Sequence, residues 1–93
     1  MHFEWDESKN KANIRKHKID FCDVPSVFDA PLLVKYDDRQ DYGEDRWIGI
    51  GTLRGIVVVV VVFTERGTDT IRIISARKAN RYERKQYEKS IQY

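Results

Sequence analysis

The most telling hydrophobic pattern in this chain is one without a period. Ile56-Val57-Val58-Val59-Val60-Val61-Val62-Phe63 runs for eight residues with no polar position. A strand that shows one face to water alternates, so an unbroken run of this kind predicts a strand covered on both faces. It is the expected centre of a sheet, with helices on at least one side. Alternation returns on its flanks. Arg46 to Leu53 alternates around Trp47, Ile48 and Ile50. Thr70 to Arg77 puts Ile71, Ile73, Ser75 and Arg77 on one side and Arg72, Ile74 and Ala76 on the other. Leu32 to Tyr36 completes a set of four strands. Arg54-Gly55 leaves room only for a tight hairpin turn, and Gly67-Thr68-Asp69 is nearly as short. Links this short make the sheet an antiparallel meander.

Helical signals bracket the sheet. Asp6 precedes Glu7 to Lys18, a stretch free of Gly and Pro, with acid at its start and bases at its end, as the helix dipole prefers. Its apolar content is thin, only Ala12 and Ile14, so Trp5 and Ile19 on its flanks are its expected anchors. Lys9, Asn13 and His17 lie at i, i+4 and i+8 and share one face. Asp20 is a second N-cap candidate, for a short helix from Phe21 to Phe28 that buries Phe21, Val24 and Phe28. Asn80-Arg81-Tyr82-Glu83 has the spacing of a capping box and predicts a last helix from Arg81 to Ile91. The fold class is therefore α+β: two N-terminal helices, a four-stranded antiparallel sheet and a C-terminal helix, in one domain over 1–93.

Charge alters this picture more by its placement than by its sum. The net charge is only +2. Yet residues 20 to 45 hold eight acids against Lys35 and Arg39, and residues 71 to 90 hold seven bases against Glu83 and Glu88. The basic segment suits a polyanion. The single cysteine, Cys22, excludes an internal disulfide and fits a reducing compartment. The opening Met1 to Asp6 is polar and acidic, and the longest apolar run is far too short to cross a bilayer, so a cytoplasmic protein without membrane contact is expected.

Most site chemistries fail on residue type. Two histidines and one cysteine offer no zinc-ligand spacing, and Gly49-x-Gly51 lies inside a strand with no third glycine before a helix, so neither metal nor cofactor is expected. No serine–histidine–aspartate arrangement can be argued, although Ser75 is suggestively placed. What remains is arginine. Arg66, Arg72 and Arg77 punctuate the last hairpin, and arginine near the ends of buried strands costs stability unless it has a partner or an anionic ligand. Arg66 and Arg77 would stand roughly 25 Å apart on an extended strand, too far to share one phosphate. Metal-free RNA cleavage needs a base for the 2′-hydroxyl, cations for the phosphorane and an acid for the leaving 5′-oxygen. Arginine suits the second task; His17 or Glu65 could serve the proton transfers. Lys78, Arg81 and Arg84 would steer RNA towards them. A pure binding module with the same basic face but no cleavage remains the competing reading.

Several strings, in order, resemble one family. They are Phe3-Glu4-Trp5-Asp6 with Lys9, Asn13 and Lys16-His17; Val27-Phe28-Asp29-x-Pro31; Arg46-Trp47-x-x-Ile50-Gly51; Thr64-Glu65-Arg66-Gly67; and Arg72-Ile73-Ile74-Ser75-Ala76-Arg77-Lys78-Ala79 followed by Glu83-Arg84. Together they resemble the BrnT family of bacterial toxins. The resemblance implies a RelE-like fold and a ribonuclease that blocks translation. It also implies neutralisation by a cognate BrnA-type antitoxin carrying a ribbon-helix-helix region, through which alone the pair would reach operator DNA. The family usually places glycine after the Lys-His pair, where a left-handed helix cap would suit it; here Lys18 stands there.

Overall fold

The structure, a computed structural model, describes residues 1–91; Gln92 and Tyr93, the last two residues of the expected domain, lie outside the described residues. In chain order come strand β1 (His2–Glu4), helix α1 (Glu7–His17), a 3-10 helix (Phe21–Asp29), β2 (Leu33–Tyr36), β3 (Trp47–Leu53), β4 (Val57–Arg66), β5 (Thr70–Lys78) and helix α2 (Arg81–Ser90). The strands form one five-stranded sheet in the order β1-β5-β4-β3-β2. β2 to β5 make the expected antiparallel meander, with the valine-rich β4 in the middle. The expectation of four strands is corrected by β1, which pairs with β5 in parallel, His2 opposite Thr70 and Glu4 opposite Arg72. Three residues are too few to show a period, so the strand left no trace in the pattern.

β4 is covered on both sides. Val59, Val61 and Phe63 join Ile71, Ile73 and Ala76 in a core with Phe21, Val24 and Val27 of the 3-10 helix. On the opposite face Val60 packs with Ile50, Ala79 and Tyr87, under α2. The short N-terminal helix is 3-10 rather than α, and this changes its buried stripe. Three residues per turn align Phe21, Val24 and Val27, all fully buried. Phe28, expected in that stripe, sits beside it, tilted against Phe3 and edge-on to Phe63, with ring centroids 5.3 and 5.1 Å away. Gly51 lets the 3-10 helix approach the sheet: a Cβ there would lie 2.8 Å from Val27 Cγ1 and 2.9 Å from Leu32 Cδ1.

α1 docks by polar groups. Its two buried residues are Asn10 and Asn13, whereas Ile14 is exposed. Asn13 Nδ2 donates to Ala76 O and Ile19 O, both at 2.9 Å, and Asn13 Oδ1 accepts from Ala76 N–H at 3.2 Å. Beyond the three residues paired by β1, this amide acts as a substitute strand for the edge of β5. Asp6 caps the helix, accepting from Ser8 N–H at 2.8 Å. The helix ends at His17, with Lys18 in the left-handed conformation at φ 61° and its N–H bonded to Ile14 O. The cap that glycine would favour is thus formed by lysine, at a strain of about 1 kcal/mol.

β5 carries a bulge. Val62 pairs with Ser75 and Phe63 with Ile73, so Ile74 has no partner on β4. This one extra residue shifts the phase of everything after it. Ala76 joins Ile71 and Ile73 in the core beneath α1, against the expected facing. Arg77, opposite Val60, and Arg72, opposite Thr64, stand on the same face as Ser75, where uninterrupted alternation would have separated them.

Candidate functional site

On that shared face a cleft of about 240 Å³ opens between β5, the segment after β2, and α2. Ile48, Ile50, Val60 and Val62 form its floor; Lys35, Arg39, Ser75, Arg77 and Glu83 form its walls. Both arginines are fixed by carboxylates. Arg77 donates two bonds of 2.8 Å to Glu83. Glu83 Oε1 also accepts from Asn80 N–H at 2.8 Å, while the Asn80 side chain accepts from Glu83 N–H, closing the capping box that begins α2. The Arg77 guanidinium, before the cap, holds the Glu83 carboxyl down at about 2, so it stays ionised. Arg39 is gripped in the same way by the buried Asp37, at 2.7 and 2.8 Å, and this carboxyl also sits at about 2.

A shallower groove continues round the edge of β5 to α1, lined by Lys9, Ala12, Asn13, Lys16, His17, Ile74 and Ser75. Lys9, Asn13 and His17 share the helix face that their spacing predicted. Ser75 borders both cleft and groove. Partial burial lowers the His17 pKa below its ordinary value, and the charges of Lys16 and Arg77 lower it further. The imidazole is therefore neutral at neutral pH and faces a cationic surface.

The remaining candidates are spread out. Arg66 and Glu65 lie at the far end of β4, beside Glu44, Asp45, Trp47 and Thr64, and Arg66 pairs with Glu44 at 3.2 Å. Six residues of β4, about 20 Å, separate Arg66 from Val60, the residue opposite Arg77. Arg72 stands between them, bonded at 2.5 Å to Glu4 of β1, an acid whose proximity depends on the strand that the sequence pattern did not reveal. Lys78, Arg81 and Arg84 are exposed where β5 passes into α2, with Arg84 donating to Ala79 O at 2.9 Å. Tyr87 is buried and donates its hydroxyl to Pro31 O, so its role is packing; Tyr82 is exposed.

Sequence reasoning missed Lys35, Arg39, Glu83, Lys9 and Lys16 as parts of one site. Two signals were available: the capping box that fixes Glu83, and the only two bases within an otherwise acidic segment. Among the described residues no group of three or more His, Cys, Asp or Glu side chains is gathered where it could hold a metal, and no helix is long and apolar enough to cross a membrane.

Comparison with known proteins gives this geometry a context. Residues 5–83 match the family model described as the ribonuclease toxin, BrnT, of type II toxin–antitoxin system. The crystal structure of the Brucella abortus ribonuclease toxin, BrnT, is similar, with 30% sequence identity and a TM-score of 0.66 over 87% of this chain and 99% of that one. None of the curated proteins compared with the chain matches it. The family match spans most of the chain and the structural likeness spans the same fold, so this chain belongs to the BrnT family of ribonuclease toxins.

Proposed function

We propose that this chain cleaves RNA at the junction of the cleft and the groove, and that it does so without a metal. The observation that carries this reading is the convergence of a clamped Arg77 and a neutral His17 on the same residue, Ser75. A phosphodiester seated there would meet Arg77, with Lys35 and Arg39 adding positive field from across the cleft. His17 would take the 2′-hydroxyl proton as the 2′-oxygen attacks phosphorus. The bond to the 5′-oxygen breaks, and that oxygen takes a proton from an ammonium group of the groove, Lys9 or Lys16. The products are a 2′,3′-cyclic phosphate and a 5′-hydroxyl. Arg72 and Arg66, on the same sheet face, extend a path for the flanking nucleotides. Lys78, Arg81 and Arg84 steer the polyanion from the other end. Glu65 stands too far from Arg77 to share its phosphate and is left out of the proton transfer.

Family membership brings an RNA target and an antitoxin partner. The fuller reading adds translation block in the cytoplasm, neutralisation by a BrnA-type antitoxin with a ribbon-helix-helix region, and contact with operator DNA only through it. The test is the integrity of total RNA mixed with the purified chain in excess chelator, beside a folded Arg77→Ala control. Cleavage by the parent alone supports the assignment. Intact RNA in both, with growth unaffected when the chain is expressed by itself, would favour the binding-module reading.

A further inference from the structure

The sheet ends at β2, and its outer edge is open. Asp37 N–H donates to Arg46 O at 2.8 Å, in line with the β2–β3 register. Antiparallel ladders alternate, so Leu33 and Lys35 also turn their backbone groups to β3, while Val34 and Tyr36 turn theirs outward. Among the described residues, no hydrogen bond takes up the outward N–H and C=O groups of Val34 and Tyr36. The two residues are 43% and 50% exposed. The edge carries neither proline nor bulge, two common devices against strand addition.

The two faces beside this edge differ in charge. On the α2 face stand Lys35 and Arg39, at the wall of the cleft. On the other, Tyr36 packs edge-on against Trp47 and donates its hydroxyl to Asp45 at 3.1 Å, with Asp41 and Asp38 close enough to act on it. A strand added here would send alternate side chains to these two faces.

We infer that the free edge of β2 receives an extended segment of a protein partner, with acidic side chains over Lys35 and Arg39 alternating with basic ones beside Tyr36 and its carboxylates. A second copy of this chain suits the edge poorly. Antiparallel pairing of β2 with itself about Lys35 sets Lys35 against Lys35, and in any register Leu33-Val34-Lys35-Tyr36 offers the cleft no acid. The inference rests on the family reading for the partner, an antitoxin. The added strand's carboxylates would occupy the positive field proposed for RNA, so binding and neutralisation become one event.

Val34→Pro tests this. The Val34 N–H faces outward, so proline spares the β2–β3 ladder while removing the outer donor and filling the edge. The probe is the protein encoded beside this chain, co-expressed and purified with it, and far-UV circular dichroism establishes that each variant is folded. Binding at least about tenfold weaker is expected, with RNA cleavage by the free variant unchanged. Asp38→Lys, exposed and outside the ladder, should weaken binding as well, and it serves if the proline unfolds β2. Undiminished binding by the folded variants overturns the inference and leaves the ribonuclease reading standing, since cleavage is scored separately. A parent that binds no such protein overturns it together with the antitoxin reading. A parent that dimerises alone, and becomes monomeric with Val34→Pro, overturns it in favour of a second copy.

Discussion

Arg77 and Glu83 are joined by two parallel hydrogen bonds of 2.8 Å, and the same carboxylate closes the N-terminal cap of α2. The last strand and the last helix therefore share one anion. The arrangement orients the guanidinium before any ligand arrives, which is how preorganised cations act on developing charge.

Removing that carboxylate should loosen both elements. Glu83→Ala is expected to cost about 1–2 kcal/mol, from the lost cap and the lost charged bonds. The pH dependence has a definite sign. The carboxyl lies at about 2 when folded against an ordinary 4.5, so the unfolded chain binds more protons. Its stabilisation is complete above the ordinary value and fades as pH falls towards 2. Thermal melts across this range should show the parent losing stability more steeply than Glu83→Ala; equal slopes would remove the pair from the account. Asp37, shifted the same way by Arg39, supplies the residual slope.

His17 should set the acid limb of cleavage. Its pKa is lowered, so the base form already dominates at neutral pH, and single-turnover rates should rise with pH to a plateau whose midpoint lies below the ordinary histidine value. His17→Ala should slow cleavage by about 10²–10⁴ with little change in RNA affinity. An unchanged pH profile in that variant would disqualify the imidazole.

Asn13→Ala should be the costliest change on α1. It strips the Ala76 N–H and two carbonyls of their side-chain partner in a buried place, an expected loss of about 2–4 kcal/mol. Ile14→Ala, on the exposed side of the same helix, should change stability by less than about 0.5 kcal/mol. Urea unfolding of the two variants reverses the order that hydrophobicity alone would give.

Gly51→Ala should destabilise by about 1–3 kcal/mol, because the new methyl group would press on Val27 and Leu32 at under 3 Å. Combining it with Val27→Ala should recover part of the loss in the same melts. No recovery would locate the strain elsewhere.

Much of this architecture could be read from the chain. The uninterrupted valines required a doubly covered central strand; Asp6, Asp20 and Asn80 marked helix starts where the caps form; Arg54-Gly55 marked the hairpin, and both residues take positive φ there. Such features depend on a residue and its near neighbours, through backbone preference, capping or the demand to bury an apolar face. The site was legible only in part, because a residue type can announce a cation but not its partner. Arg77, Ser75 and His17 were singled out, whereas Glu4, Glu44 and Glu83 as the partners of the three arginines were not.

What the sequence determined, then, was the set of elements and the kind of chemistry they could host. Only the tertiary structure decided which charges meet. The unpaired Ile74 in β5 moves Arg77 onto the face of Arg72; the three residues of β1 bring Glu4 to Arg72; a buried asparagine, rather than an apolar stripe, holds α1 beside Ser75. Each outcome depends on contacts between distant parts of the chain or on a change of strand phase, and neither is encoded in the local period of hydrophobic and polar residues.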